Sequence, residues 1–146
     1  SWEEYVFRGY LMQGIGGIIK NKWIPLLTTS LLFGFLHYWN PEVMKLGPFL
    51  LIHYVTTGLF LGIVTLMDKG MELALGFHAG NNVLIALLVT ADWTVLQTNS
   101  VLISIGEPEL FSLLVPLFII YSIVLVYFSK KYNWKNWKEN LTGRFN

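Results

Sequence analysis

Apolar positions run through this chain in five long blocks, separated by short stretches of glycine, proline, asparagine and charge. The blocks predict helices over about 3–20, 23–39, 48–67, 71–89 and 110–128. A bilayer-crossing helix needs about 20 mainly apolar residues, because the hydrocarbon core is about 30 Å thick and each residue rises about 1.5 Å. The blocks approach that length without strict alternation, which favours helices over barrel strands. The first contains Glu3, Glu4 and Arg8, so it must face protein rather than lipid. The second has Pro25 where a first helical turn tolerates it, and it ends at Asn40-Pro41. The third carries Gly58 and Gly62, a spacing that lets helices approach closely. The fourth holds His78, Asn81 and Asn82 near its middle, and the fifth is almost wholly apolar. Residues 90–109 are mixed and expected to be partly interfacial. The predicted fold class is all-α, a polytopic membrane helix bundle with about five membrane-embedded helices. It forms one domain over 1–146, with motif helices in 3–89, a C-terminal helix over 110–128 and a basic, aromatic tail over 129–146.

Composition sharpens this picture. Hydrophobic residues make up 54% of the chain and charged ones only 13%, against about 25% charged in soluble domains. A net charge of +1 gives a nucleic-acid partner no electrostatic support. The absence of cysteine excludes disulfides, thiolate ligands and a cysteine nucleophile. With five alternating spans, one side receives Lys20, Lys22, Lys69, Lys130, Lys131, Lys135, Lys138 and Arg144, and the other only Lys45. The second side instead carries Glu42, Asp92, Glu107 and Glu109. Lysine and arginine concentrate in cytoplasmic loops, so the C-terminus is expected in the cytoplasm, and lipid is the expected surrounding. Trp134 and Trp137 among the tail lysines suit an interfacial anchor or a solvated tail. Ser1 is followed by acidic residues, unlike a signal peptide, and further helices are expected upstream of it.

Strongly polar groups inside membrane segments cost roughly 2.5–3.5 kcal/mol each and are usually paired or functional. Here they recur at helical spacing. Glu4 and Arg8 are four residues apart and suited to an ion pair, with Glu3 about 100° around the same helix. Phe33 and His37 repeat the spacing on the second helix, and His78 and Asn82 on the fourth. Amide hydrolysis needs an activated water, a group that polarises the carbonyl and a proton for the leaving amine. A carboxylate in an apolar cavity becomes a better base near neutral pH. Glu3 is the preferred base, with His37 orienting the water and His78 with Asn82 forming an oxyanion hole. Glu4 and Arg8 would hold the first helix, Glu4 also reaching the water, and Phe33 would pack the cavity wall. A zinc site of Glu3, His37 and His78 with one open position is the competing arrangement; the metal-free one is preferred, with no cofactor.

The Glu-Glu-x-x-x-Arg of Glu3, Glu4 and Arg8, the Phe-x-x-x-His of Phe33 and His37, and the His-x-x-x-Asn of His78 and Asn82 resemble the three motifs of the CAAX protease and bacteriocin-processing family. The resemblance implies an all-helical membrane core that cleaves a peptide or lipid-modified protein, with Glu3, Glu4, His37, His78 and Asn82 catalytic. It also implies an integral protein of a bacterial inner or plasma membrane, and allows a catalytically silent relative that confers bacteriocin immunity or binds a membrane partner. A transport fragment would also explain buried polar groups, but no internal repeat is visible.

Other polar residues read as structural. His53 is expected to make a structural hydrogen bond, Asn81 to pack or support its neighbour, and the Asn140-Leu141-Thr142 sequon to be accidental.

Overall fold

In the computed structural model, which describes residues 2–91, 93–106 and 109–145, the first apolar block winds as three helical stretches in series. These are α1 (Trp2–Glu4), a π-helical segment (Tyr5–Leu11) and α2 (Met12–Ile19). The Met12 amide donates to the Phe7 carbonyl five residues back, the bond that defines a π turn. After α2 the chain turns at Lys20 in the left-handed region, φ 54°. Asn21 Oδ1 then accepts from the amides of Trp23 and Ile24 at 2.8 and 3.3 Å, satisfying donors that an opening helix leaves free.

That helix is α3 (Trp23–Leu36), and it stops short of the expected end at 39. His37 therefore lies at its C-cap rather than within the helix. A short α4 (Pro41–Leu46), which the hydropathy pattern does not announce, leads through Gly47, φ 86°, into a 3-10 turn (Pro48–Leu50). Then come α5 (Leu51–Asp68) and α6 (Glu72–Leu88), close to expectation. The mixed segment holds a minimal parallel pair, β1 (Val89–Thr90) with β2 (Leu102–Ile103). The last block forms α7 (Leu110–Lys131), three residues longer than expected, and the tail ends in α8 (Trp137–Thr142). The architecture is an all-α bundle.

The helices α3 and α5 form its spine. Their contact rests on the two glycines: Gly58 faces the backbone of Ser30, and Gly62 faces Leu26 and Met12. A Cβ at position 58 would lie 3.1 Å from Ser30 Cα and 3.2 Å from its carbonyl oxygen, so backbone would have to move. Gly58→Ala is expected to cost about 1–3 kcal/mol by overpacking, read as a thermal midpoint lower by about 2–4 °C per kcal/mol. An unchanged midpoint would contradict this close approach.

Trp134 departs from the tail expectation. It is buried with Phe60, Leu61, Val64, Met67 and Ala74, and its indole N–H donates to Asp68 at 3.2 Å. Lys22 donates its amide to the Gly143 carbonyl at 3.0 Å and its ammonium to the Glu139 carbonyl at 3.3 Å. The tail is thus folded onto the bundle, because burying an indole with its donor satisfied is more favourable than leaving it in solvent; Trp137 remains exposed. Asn140 of the sequon sits on α8 and donates to the Lys135 carbonyl.

Among the described residues, two helices are long and apolar enough to cross a membrane, by length and composition. Pro48–Asp68 has a mean hydropathy of 1.9, and Leu110–Lys131 one of 2.5 with only 6% of its apolar window buried. The apolar helices α3 and α6 are shorter, at 14 and 17 residues. Lys22, Lys69 and Arg144 line one cleft, while Glu42 accepts the Val95 amide at 2.8 Å. Asp92 and Glu107 lie outside the described residues.

Candidate active site

The charges expected to face protein do so. Glu4 is 0% exposed and Arg8 1%, and buried ions persist only when paired and hydrogen-bonded. Arg8 supplies both: Nη1 donates to Glu4 Oε1 at 3.2 Å and Nη2 to the Gly58 carbonyl at 2.6 Å. The guanidinium also lies over the Phe33 ring, 5.0 Å from its centre, a cation–π contact strengthened by exclusion of water. The first helix is therefore fastened to the spine at the glycine contact itself.

His78, brought in by α6, stands between the two carboxylates. Its Nδ1 lies 2.7 Å from Glu4 Oε1, and its Nε2 lies 3.6 Å from Glu3 Oε2. Glu4 Oε1 also accepts from Arg8, and an ionised carboxylate only accepts, so Nδ1 donates. Glu4 Oε2 remains a buried acceptor without a hydrogen-bond partner among the described residues. Glu3 differs: 28% of its side chain is exposed, and its contact with His78 is the longer one. The 100° separation does not send Glu3 elsewhere, because the two nitrogens lie on different edges of one ring and both carboxylates reach it.

Phe33 packs edge-on to His78 with ring centres 6.1 Å apart and lies 4.7 Å from His37. His37 Nδ1 is 2.7 Å from the Phe33 carbonyl. A carbonyl can only accept, so Nδ1 carries the hydrogen and Nε2 offers a lone pair when the ring is neutral. The other face of His37 stacks on Tyr54, centres 4.2 Å apart and 20° from parallel. Tyr54 in turn accepts a hydrogen bond from Asn40 at 3.2 Å. Neither Tyr54 nor Asn40 was expected at the site, since one tyrosine in an apolar run and one asparagine before a proline carry no distinguishing spacing.

Asn82 lies one turn beyond His78 on α6, half-buried and with no side-chain hydrogen bond among the described residues. The expected His78 and Asn82 donor pair is thereby altered, because the ring already faces Glu4 and Glu3. Asn81 is exposed rather than packed. His53 Nδ1 is buried without a hydrogen-bond partner among the described residues, where the bond expected of it is not formed; the ring packs edge-on to Tyr54 at 5.3 Å. Among the described residues no three His, Asp or Glu side chains are gathered to hold a metal ion.

The bundle thus brings two adjacent glutamates and an arginine of the first helical block together with a histidine of α6, Glu3 alone of the four being partly exposed. Residues 1–84, which include this whole cluster, match the type II CAAX prenyl endopeptidase Rce1-like family. The chain belongs to that family, which is membrane-associated and composed typically of proteases. It is also similar to a protein of Bacillus subtilis (strain 168), named as uncharacterized protein YyaK, with 36% identity over 112 residues. The alignment covers 77% of this chain and 35% of the relative, so the chain spans about a third of the length of the curated relative it matches. No solved structure matches it.

Proposed function

We propose that this chain carries the catalytic centre of an intramembrane endopeptidase that hydrolyses a peptide bond in a membrane-associated peptide or lipid-modified protein. The observation that carries this reading is the unequal engagement of the two carboxylates. Glu4 is held by Arg8 and His78, whereas Glu3 is partly exposed beside the same imidazole.

In this mechanism Glu3 takes a proton from water, and the resulting hydroxide attacks the carbonyl carbon of the substrate. His37 Nε2 orients the water, and the fully buried Glu4 holds Arg8 and His78 in place. The Asn82 amide is the donor left to stabilise the oxyanion, since the His78 ring faces the carboxylates. The proton on Glu3 is shared with His78 Nε2 and passed to the leaving amine as the C–N bond breaks. One water is consumed, and a carboxylate and an amine are released. No step needs a metal.

The membrane setting is supported by α7. A helix of mean hydropathy 2.5 with 6% of its window buried would expose far more contiguous apolar surface to water than soluble proteins tolerate. Lipid accounts for that surface, and the lysine distribution supports a C-terminus on the cytoplasmic side of a bacterial plasma membrane.

The test is cleavage by the full-length protein in proteoliposomes, using a prenylated CAAX-type peptide and its unmodified counterpart, with products identified by mass spectrometry. Cleavage of at least one peptide is expected, with His37→Ala slower by about 10²–10⁴-fold. In this metal-free mechanism a chelator is expected to leave the rate within about twofold. Folded protein that cleaves neither peptide would overturn the peptidase reading. Loss of activity on chelation, restored by zinc, would overturn the metal-free mechanism.

A further inference from the structure

At the lysine-rich end of the bundle, the folded-back tail and the α5–α6 turn enclose a cleft of about 530 Å³, a volume within the roughly 300–1,000 Å³ of small-molecule sites. Lys22, Lys69 and Arg144 line it, against a single carboxylate, Glu139. Lys22 is partly engaged by the Glu139 carbonyl. Lys69 and Arg144 make no ion pair among the described residues. Arg8 also lines the cleft, and its Nε is buried without a hydrogen-bond partner. The cleft thus offers a surplus of cationic donors, with Lys69 and Arg144 exposed, which calls for an anion with several acceptor oxygens.

We infer that this cleft binds the phosphodiester headgroup of an anionic phospholipid. Depth decides between a lipid and free phosphate. The apolar length of α7 ends at Lys130 and Lys131, where a hydrocarbon core gives way to headgroups, and the tail that follows forms one wall of the cleft. Basic pockets at this level of a membrane protein, on the cytoplasmic side, suit lipid headgroups. The inference does not depend on peptidase activity.

The test is native mass spectrometry of the full-length protein in detergent containing phosphatidylglycerol or phosphatidylcholine. A Lys69→Gln/Arg144→Gln variant is expected to retain phosphatidylglycerol about 30-fold less than the parent, at about 1 kcal/mol for each cation near the surface. A Lys130→Gln/Lys138→Gln variant, which loses the same charge outside the cleft, is expected to change retention less than twofold. Both pairs are exposed, and circular dichroism checks that both variants fold. Millimolar inorganic phosphate is expected not to displace the lipid. Equal loss in both variants, or no loss in the first, would overturn the site. Displacement by phosphate would overturn the lipid assignment in favour of a free-phosphate site.

Discussion

Glu3→Gln is expected to lower turnover by about 10²–10⁴-fold, the range for loss of a general base, while leaving the protein folded. The side chain is partly exposed and meets the cluster through one 3.6 Å contact with His78, so an amide of the same shape removes the base without opening the core. Glu4→Gln is expected to behave differently. It too should reduce turnover, but it removes the charge that answers both Arg8 and His78, and it should lower the thermal midpoint as well. Kinetics and thermal unfolding of the two variants side by side separate the roles. If Glu3→Gln cleaves at the parent rate while Glu4→Gln is inactive yet fully stable, the assignments of base and anchor are reversed.

Arg8→Met carries the largest expected stability effect, about 3–5 kcal/mol, because it strands the fully buried Glu4 carboxylate without its cationic partner. It also removes the donor to the Gly58 carbonyl where the first helix joins α5. The double variant Glu4→Gln/Arg8→Met tests the cause. With no charge left to bury, it should recover part of the loss, since replacing both members of a buried pair is far milder than removing one. Denaturation in detergent provides the comparison. A double variant as unstable as the sum of the singles would mean that the pair is not coupled.

Hydropathy alone located α3, α5, α6 and α7 within a few residues, because each needs an apolar face or a wholly apolar surface. The spacing of Glu4 with Arg8 and the glycines at 58 and 62 announced an ion pair and a close helix crossing, and both are present. Other features were illegible for physical reasons. The early stop of α3 depends on what His37 meets in space, namely the Phe33 carbonyl and the Tyr54 ring. Trp134 sits among lysines and asparagines, so its neighbourhood reads as solvated, yet Asp68 and Phe60 come from sequence positions far away to enclose it. His53 was expected to find a partner and has none at Nδ1, because its turn of α5 faces aromatic rings rather than polar groups. The two carboxylates converge on one histidine through the shape of the ring, which spacing along a helix does not describe.

The wide winding of Tyr5–Leu11 has a consequence for how the upstream end is aimed. Each residue of an ordinary helix advances the phase by 100°, whereas this stretch takes more residues to come round. Seven residues at the looser winding set the rotational position of everything before them relative to α2. Shortening this stretch by one residue could be absorbed by rewinding it as a regular helix, with little loss of backbone bonding. The rewound helix would nonetheless aim Glu3 and Glu4 along a different bearing from α6. Secondary structure content would barely change, and the chemistry would have lost its alignment.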